Sequence, residues 1–127
     1  MLRKFSLTLV VTLGLLGAGC SSMMPAAPAQ VTDGALTGKN GMTLYTFDRD
    51  TAGSGKSVCN GPCATLWPPL MAAADEKVTG DYSIVTRDDG GKQIAYKGKP
   101  LYYWAKDTKA GDKTGNGVNN LWRTATP

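Results

Sequence analysis

The sequence predicts a mainly β fold, with a small α+β arrangement as the alternative, in which two tandem hairpin-containing repeats form one compact domain. Three observations lead there. The segment GMTLYTFDRDT (Gly41 to Thr51) aligns without a gap with GKPLYYWAKDT (Gly98 to Thr108), so that Gly, Leu, Tyr, Asp and Thr recur at a shift of 57. Each copy then leads through a glycine-rich loop to a second matching pair, Leu66-Trp67 and Leu121-Trp122, at a shift of 55. A match that includes the rare residue Trp marks two copies of one supersecondary unit. Finally, the apolar runs are short, aromatic and β-favouring, and are bounded by glycine and charge, as strands are.

The chain opens with Arg3 and Lys4, followed by 12 uncharged, apolar or small residues from Phe5 to Leu16. A spanning helix needs about 20 apolar residues, so this run reads as the core of an export signal. It ends in Leu16-Gly17-Ala18-Gly19-Cys20, which resembles a lipobox, with small residues beside the cut and a cysteine sulfur free to take a diacylglycerol. One departure is Gly17, which stands where a large aliphatic residue is usual. Residues 1–19 are therefore expected to be a lipoprotein signal peptide and Cys20 the lipidated residue. Removing them leaves 108 of the 127 residues, enough for one domain and too few for two cores. Two of the 14 basic residues leave with the signal, which halves the formal +4 charge. The other lysines are scattered among aspartates without a basic stripe, so no nucleic acid partner is expected. The membrane, reached through the lipid, is the expected partner, together with an envelope ligand or protein that the sequence does not identify.

Residues 20–32 read as the lipidated N-terminus and a flexible tether, with Pro25 and Pro28 spaced through polar and small residues. Extended at roughly 3.1 Å per residue, it would hold the domain at most about 35 to 40 Å from the bilayer. The domain then occupies 33–127, with repeat 1 at about 34–70 and repeat 2 at about 82–127.

Within repeat 1, a strand at Ala35 to Thr37, the Gly38-Lys39-Asn40-Gly41 turn and a strand at Leu44 to Phe47 form a hairpin. Repeat 2 follows the same plan with Gln93 to Tyr96, the Lys97-Gly98-Lys99 turn and Leu101 to Trp104. A further strand, Tyr82 to Thr86, reaches Gln93 through Asp88-Asp89-Gly90-Gly91. Alternation places Tyr45 and Phe47 on one face and Tyr102 and Trp104 on the matching face of the second copy, and these faces are expected to meet in the core. Helical turns are expected at Pro62 to Leu66 and in the alanine run Met71 to Ala74, with Pro68-Pro69 limiting the first.

The recurring pattern Tyr-x-(Phe/Trp/Tyr)-x-x-Asp appears as Tyr45, Phe47 and Asp50 and again as Tyr102, Trp104 and Asp107. It resembles the signature of the bacterial secreted-repeat lipoprotein family, as do CNGPCATLWPPL after the first copy and YKGKPLYYWAKDTKAGD around the second. The resemblance runs from about Ala35 to the C-terminus. It implies an envelope lipoprotein, and it implies no activity, because the family has none assigned.

The chain contains no histidine, which removes the commonest general base and metal ligand and every Ser-His or Cys-His pair. Most hydrolase templates fail at that step, and Ser54, Ser57 and Ser83 sit in no motif resembling a Ser-Lys pair, so the expectation is a protein that is not an enzyme and carries no cofactor. Cys59 and Cys63 are the pair left once Cys20 carries lipid, and in an oxidising compartment they should form a disulfide. Their C-x-x-x-C spacing, around Asn60-Gly61-Pro62, has one residue more than thioredoxin-like sites and no βαβ setting, which favours a structural bond over a thiol-disulfide redox protein, the alternative. Asp112-Lys113-Thr114-Gly115-Asn116-Gly117 approximates the opening of a calcium loop but fails at Thr114, and Arg123 stands where the bidentate glutamate belongs. A looser calcium site from Asp107, Asp112 and Asn116 is the alternative to a glycine-rich turn.

Asp50 and Asp107, at strand ends, suit carboxylates that accept backbone hydrogen bonds from the following turn. Trp67 and Trp122 fit core packing, with an exposed stacking surface for binding as the alternative. The leading functional expectation is a non-catalytic envelope module that binds through its aromatic faces. Ser21 is not the Asp that favours inner-membrane retention, so the outer membrane facing the periplasm is preferred, with a Gram-positive surface as the alternative.

Overall fold

The computed structural model describes residues 27–127 together with Gly14. The expected signal peptide, residues 1–19, the lipidation site Cys20 and the first part of the tether lie outside the described residues. Among the described residues, seven short strands form three small antiparallel sheets, accompanied by a helix of five residues and a 3-10 turn at Val118–Asn120. Strand β1 (Gln30–Thr32) pairs with β2 (Ala35–Thr37) through an Asp33-Gly34 turn, in which both residues adopt positive φ. Strand β3 (Tyr45–Phe47) is followed by α1 (Pro62–Leu66). Strands β4 (Tyr82–Thr86), β5 (Lys92–Tyr96) and β6 (Lys99–Pro100) form the second sheet, and β7 (Trp122–Thr124) returns to pair with β3. The fold is mainly β and holds two tandem repeats in one domain, as the sequence predicts.

β1 shortens the expected tether. Pro28 and Ala29 are already buried, and β1 is hydrogen-bonded to β2 over its whole length, so the ordered domain begins before residue 30. No alternation signalled this strand, because all three of its residues are exposed.

The two repeats are related by an approximate two-fold axis that passes between Tyr45 and Tyr102. Each of these residues donates its backbone N–H to the other's carbonyl, at 2.7 and 3.0 Å. The bonds around this pair recur in both halves. Leu70 N–H donates to Leu101 O as Ala125 N–H does to Leu44 O, and Ala105 N–H donates to Leu66 O as Asp48 N–H does to Leu121 O. One difference corrects the expectation of a strand at Leu101 to Trp104. In that segment only Tyr102 forms bridges, to Tyr45 and Pro69. The neighbouring segment contains Pro68 and Pro69, which have no N–H to donate, so no continuous ladder forms there. At the equivalent place in the other half, Arg123 and Thr124 do carry N–H groups, and β3 pairs fully with β7.

The alanine run is also corrected. Met71 bridges Gln93, Ala72 N–H donates to Lys92 O, and Ala74-Asp75 forms a turn, so no helix is present. Four residues are too few to nucleate a helix against such backbone pairing. By contrast, α1 forms where expected, with proline in its first turn.

Alternate residues of the crossed segments feed two core layers. Leu36, Leu44, Leu70, Ile94, Leu101 and Ala125 form an aliphatic layer with Ala29. Tyr45, Phe47, Trp67, Tyr102, Trp104 and Trp122 form an aromatic layer with Cys59. Two equivalent glycines, Gly41 and Gly98, set the turns at a φ of +80°. A Cβ on Gly98 would lie 2.5 Å from the backbone nitrogen of Gly53, whereas one on Gly41 would lie 3.1 Å from the Ala110 methyl. Left-handed strain alone costs about 1–3 kcal/mol. Chemical denaturation should therefore show Gly41→Ala destabilised by that amount and Gly98→Ala by visibly more, since backbone must move as well; equal losses would contradict the clash.

Candidate functional site

The aromatic layer is a stack of four rings. Phe47 lies on Trp122 at 4.2 Å and 8°, Trp122 on Trp67 at 3.7 Å and 3°, and Trp67 on Trp104 at 3.9 Å and 27°. Tyr45 meets Trp67 edge-on at 5.5 Å and Tyr102 meets Trp122 edge-on at 5.2 Å, so the arrangement repeats across the axis. Trp67 and Trp122 are 3% and 2% exposed, which corrects the alternative of an exposed stacking surface. Binding through the aromatic faces is corrected with it, because those faces are spent on each other.

The tyrosines exchange partners between repeats. Tyr45 of the first donates its hydroxyl proton to Asp107 Oδ2 of the second at 2.6 Å, and Tyr102 of the second donates to Asp50 Oδ2 of the first at 2.5 Å. The other oxygen of each carboxylate is held locally. Asp50 Oδ1 accepts from Val58 N–H, and Asp107 Oδ1 accepts from Thr114 N–H and its hydroxyl. Both tyrosines are fully buried, and that desolvation, reinforced by the carboxylate partner, pushes each phenol far above its ordinary value.

The sign of the resulting pH dependence follows. Below the unfolded phenol value of about 10 the folded and unfolded chains bind these protons equally, and above it only the unfolded state releases them. Stability should fall as pH rises past about 10, by at most about 1.4 kcal/mol per pH unit for each tyrosine. Denaturant titrations between pH 8 and 11 should show a shallower fall in the Tyr45→Phe/Tyr102→Phe double variant; identical slopes would refute the buried pairing.

Ser57, Arg87 and Gln93, which extend this network, were not singled out by the sequence as functional residues. Ser57 Oγ lies 2.6 Å from the Tyr102 hydroxyl and accepts from Arg87 Nη1 at 3.0 Å. Arg87, 4% exposed, also donates to Gln93 Oε1, the Cys59 carbonyl and Asn60 Oδ1. Among the described residues its guanidinium meets no carboxylate within ion-pair distance, and the sole ion pair is the exposed Arg123 with Asp48. Its charge is instead linked to Asp50 through Ser57 and Tyr102. The repeat register held a signal for Ser57, because Thr114, another hydroxyl donor, stands 57 residues later.

Cys59 and Cys63 form a disulfide at the start of α1. Register holds through Ser57 and Thr114 and is offset by two at Leu66 and Leu121, so the disulfide loop is where repeat 1 has its extra residues. Cys59 is fully buried. In a dithiol exchange site the first sulfur must be open to attack; here it lies in the aromatic layer.

The calcium alternative is corrected by what surrounds its oxygens. Both Asp107 oxygens already accept from protein donors, and Asp112 Oδ2 accepts from Thr108 N–H, the Thr108 hydroxyl and Lys109 N–H. The Thr108 amide bond is the main reason the Asp112 carboxyl is held below its ordinary value. Asn116 Oδ1 accepts from Thr124 N–H. A cation needs converging acceptors free of donors, and no group of three or more His, Cys, Asp or Glu is placed to hold a metal among the described residues.

On the surface, two shallow grooves of about 300 and 250 Å³ flank Pro28, which lines both. The first is bordered by Val31, Tyr82 and Tyr96, the second by Met71 and Tyr103.

A family description, secreted repeat of unknown function, matches the chain twice, over residues 28–71 and 83–126. The first match begins upstream of β1, in keeping with the early start of the ordered domain. No curated protein and no solved structure matches.

Proposed function

Since the chain belongs to this family of secreted repeats of unknown function, we propose that it is a non-catalytic module of the cell envelope, anchored by lipid on Cys20. The observation that carries the reading is the exchange of Tyr45 and Tyr102 between the carboxylates of opposite repeats. It spends the polar members of the recurring motif inside the domain, where no substrate reaches them. Such a motif builds a scaffold, and its job is to present a surface. The lipid anchor rests on the Gly17-Ala18-Gly19-Cys20 run, and Ser21 favours the outer membrane facing the periplasm.

Expression of the whole chain in a Gram-negative host, with mass spectrometry of the mature N-terminus, tests the anchor. Cleavage after Gly19 with an acylated Cys20 is expected, and Cys20→Ser should accumulate as uncleaved precursor. A mature chain with an unmodified Cys20 would exclude lipid anchoring. Native mass spectrometry of the same protein tests the binding role, because a bound mass would name the class of ligand.

A further inference from the structure

The two grooves lie beside Ala27 and Pro28, and although Tyr82, Tyr96 and Tyr103 pack partly against the aliphatic core, the rims leave apolar side chains exposed. Among the described residues only four large hydrophobic side chains are exposed, and two of them, Val31 at 56% and Met71 at 48%, border the grooves. Tyr82 and Tyr96 are half-buried at the first groove, with their rings 5.1 Å apart and Lys97 Nζ 5.4 Å from the Tyr96 ring. Tyrosine rings with adjoining lysines suit the boundary between water and hydrocarbon. Charge does not select the partner, because Lys39 is matched by Glu76 at one groove and Lys97 by Asp81 at the other.

The length of the preceding segment selects it. Seven peptide steps separate Cys20 from Ala27, which lines the first groove beside Pro28, and they span at most about 25 Å. A lipid on Cys20 would thus hold this face nearest the bilayer and at high effective concentration beside it.

Resting on the lipid-anchor reading above, we propose that the grooved face around Pro28 docks on the lipid surface, with Val31 and Met71 entering the interfacial layer and the rings of Tyr82 and Tyr96 at headgroup level. The partner is a bilayer, recognised through apolar insertion with little dependence on lipid charge. The unanchored chain should bind only feebly, since two apolar side chains cannot offset the loss of free motion alone.

The test separates docking from biological acylation. The chain from residue 20 onward, with Cys59 and Cys63 paired, offers Cys20 as its one free thiol, which can be coupled to maleimide lipid in vesicles of phosphatidylethanolamine and phosphatidylglycerol. Single Val31→Trp, Met71→Trp and Val58→Trp variants report depth through quenching by brominated lipid. All three positions are exposed, and an unchanged melting temperature shows that the fold is intact. Tryptophan at 31 and at 71 should lose about half or more of its added emission, in low and high salt alike, while tryptophan at 58 should match the wild type. Equal quenching at 31, 71 and 58 would overturn the proposal, as would a soluble dimer, seen by light scattering, that Val31→Asp dissociates. The first result would leave no preference of this face for the lipid, and the second would assign it to a second copy of the chain. An unacylated Cys20 in cells, with depth quenching intact in coupled vesicles, would sink the anchor alone.

Discussion

Trp122→Ala is expected to be the most damaging single substitution in the domain. Trp122 stacks between Phe47 and Trp67, takes the edge of Tyr102, and opposes Phe47 in the β3–β7 ladder. Removing it takes a large buried ring from the centre of the stack and leaves a cavity that its three ring neighbours cannot close, which costs about 3–5 kcal/mol. Domains of this size have about 5–15 kcal/mol in all, so Tm should fall by roughly 15–30 °C. Leu66→Ala, one position before Trp67 but half-exposed, should change stability by less than about 0.5 kcal/mol. Calorimetry on the pair decides the point. A loss below about 1 kcal/mol at Trp122 would mean that the stack contributes contact without stability.

Arg87→Met is expected to come second, at about 2–4 kcal/mol, because it leaves four buried or half-buried acceptors without a charged donor. The more informative quantity is its coupling to Asp50. The two side chains do not touch, yet Tyr102 and Ser57 link them by hydrogen bonds. A double-mutant cycle of Arg87→Met with Asp50→Asn should show about 1 kcal/mol or more of non-additivity, of the size found for groups in one network. Strict additivity would show that the arginine only holds the disulfide loop through the Cys59 carbonyl and Asn60. Losses at either site should leave Cys59 and Cys63 paired, which thiol labelling under denaturing conditions reads directly.

The duplicated motif was legible because two copies in one chain reveal which positions are equivalent. Period-2 alternation then put Tyr45, Phe47, Tyr102 and Trp104 on inward faces, and the structure buries all four. Equivalence does not reveal pairing, however. That Asp50 serves Tyr102 and Asp107 serves Tyr45 depends on how two segments cross, and no local pattern encodes a crossing. Arg87 was invisible for a different reason. A single arginine beside an Asp-Asp-Gly-Gly turn has the composition of a solvated surface, and only the fold shows it pointing inward to Gln93. The alanine run failed because helix propensity is a weak preference that backbone pairing with β5 overrides.

The exchanged tyrosine bonds also govern when the domain can form. They join residues 62 and 52 positions apart, and β3 waits for a partner at Trp122–Thr124. Nothing in the first repeat can complete its aromatic layer until the second has arrived, and such long-range closures are slow. For a chain exported unfolded, as the proposed lipoprotein signal would require, that delay is an advantage: neither half could lock before both had crossed.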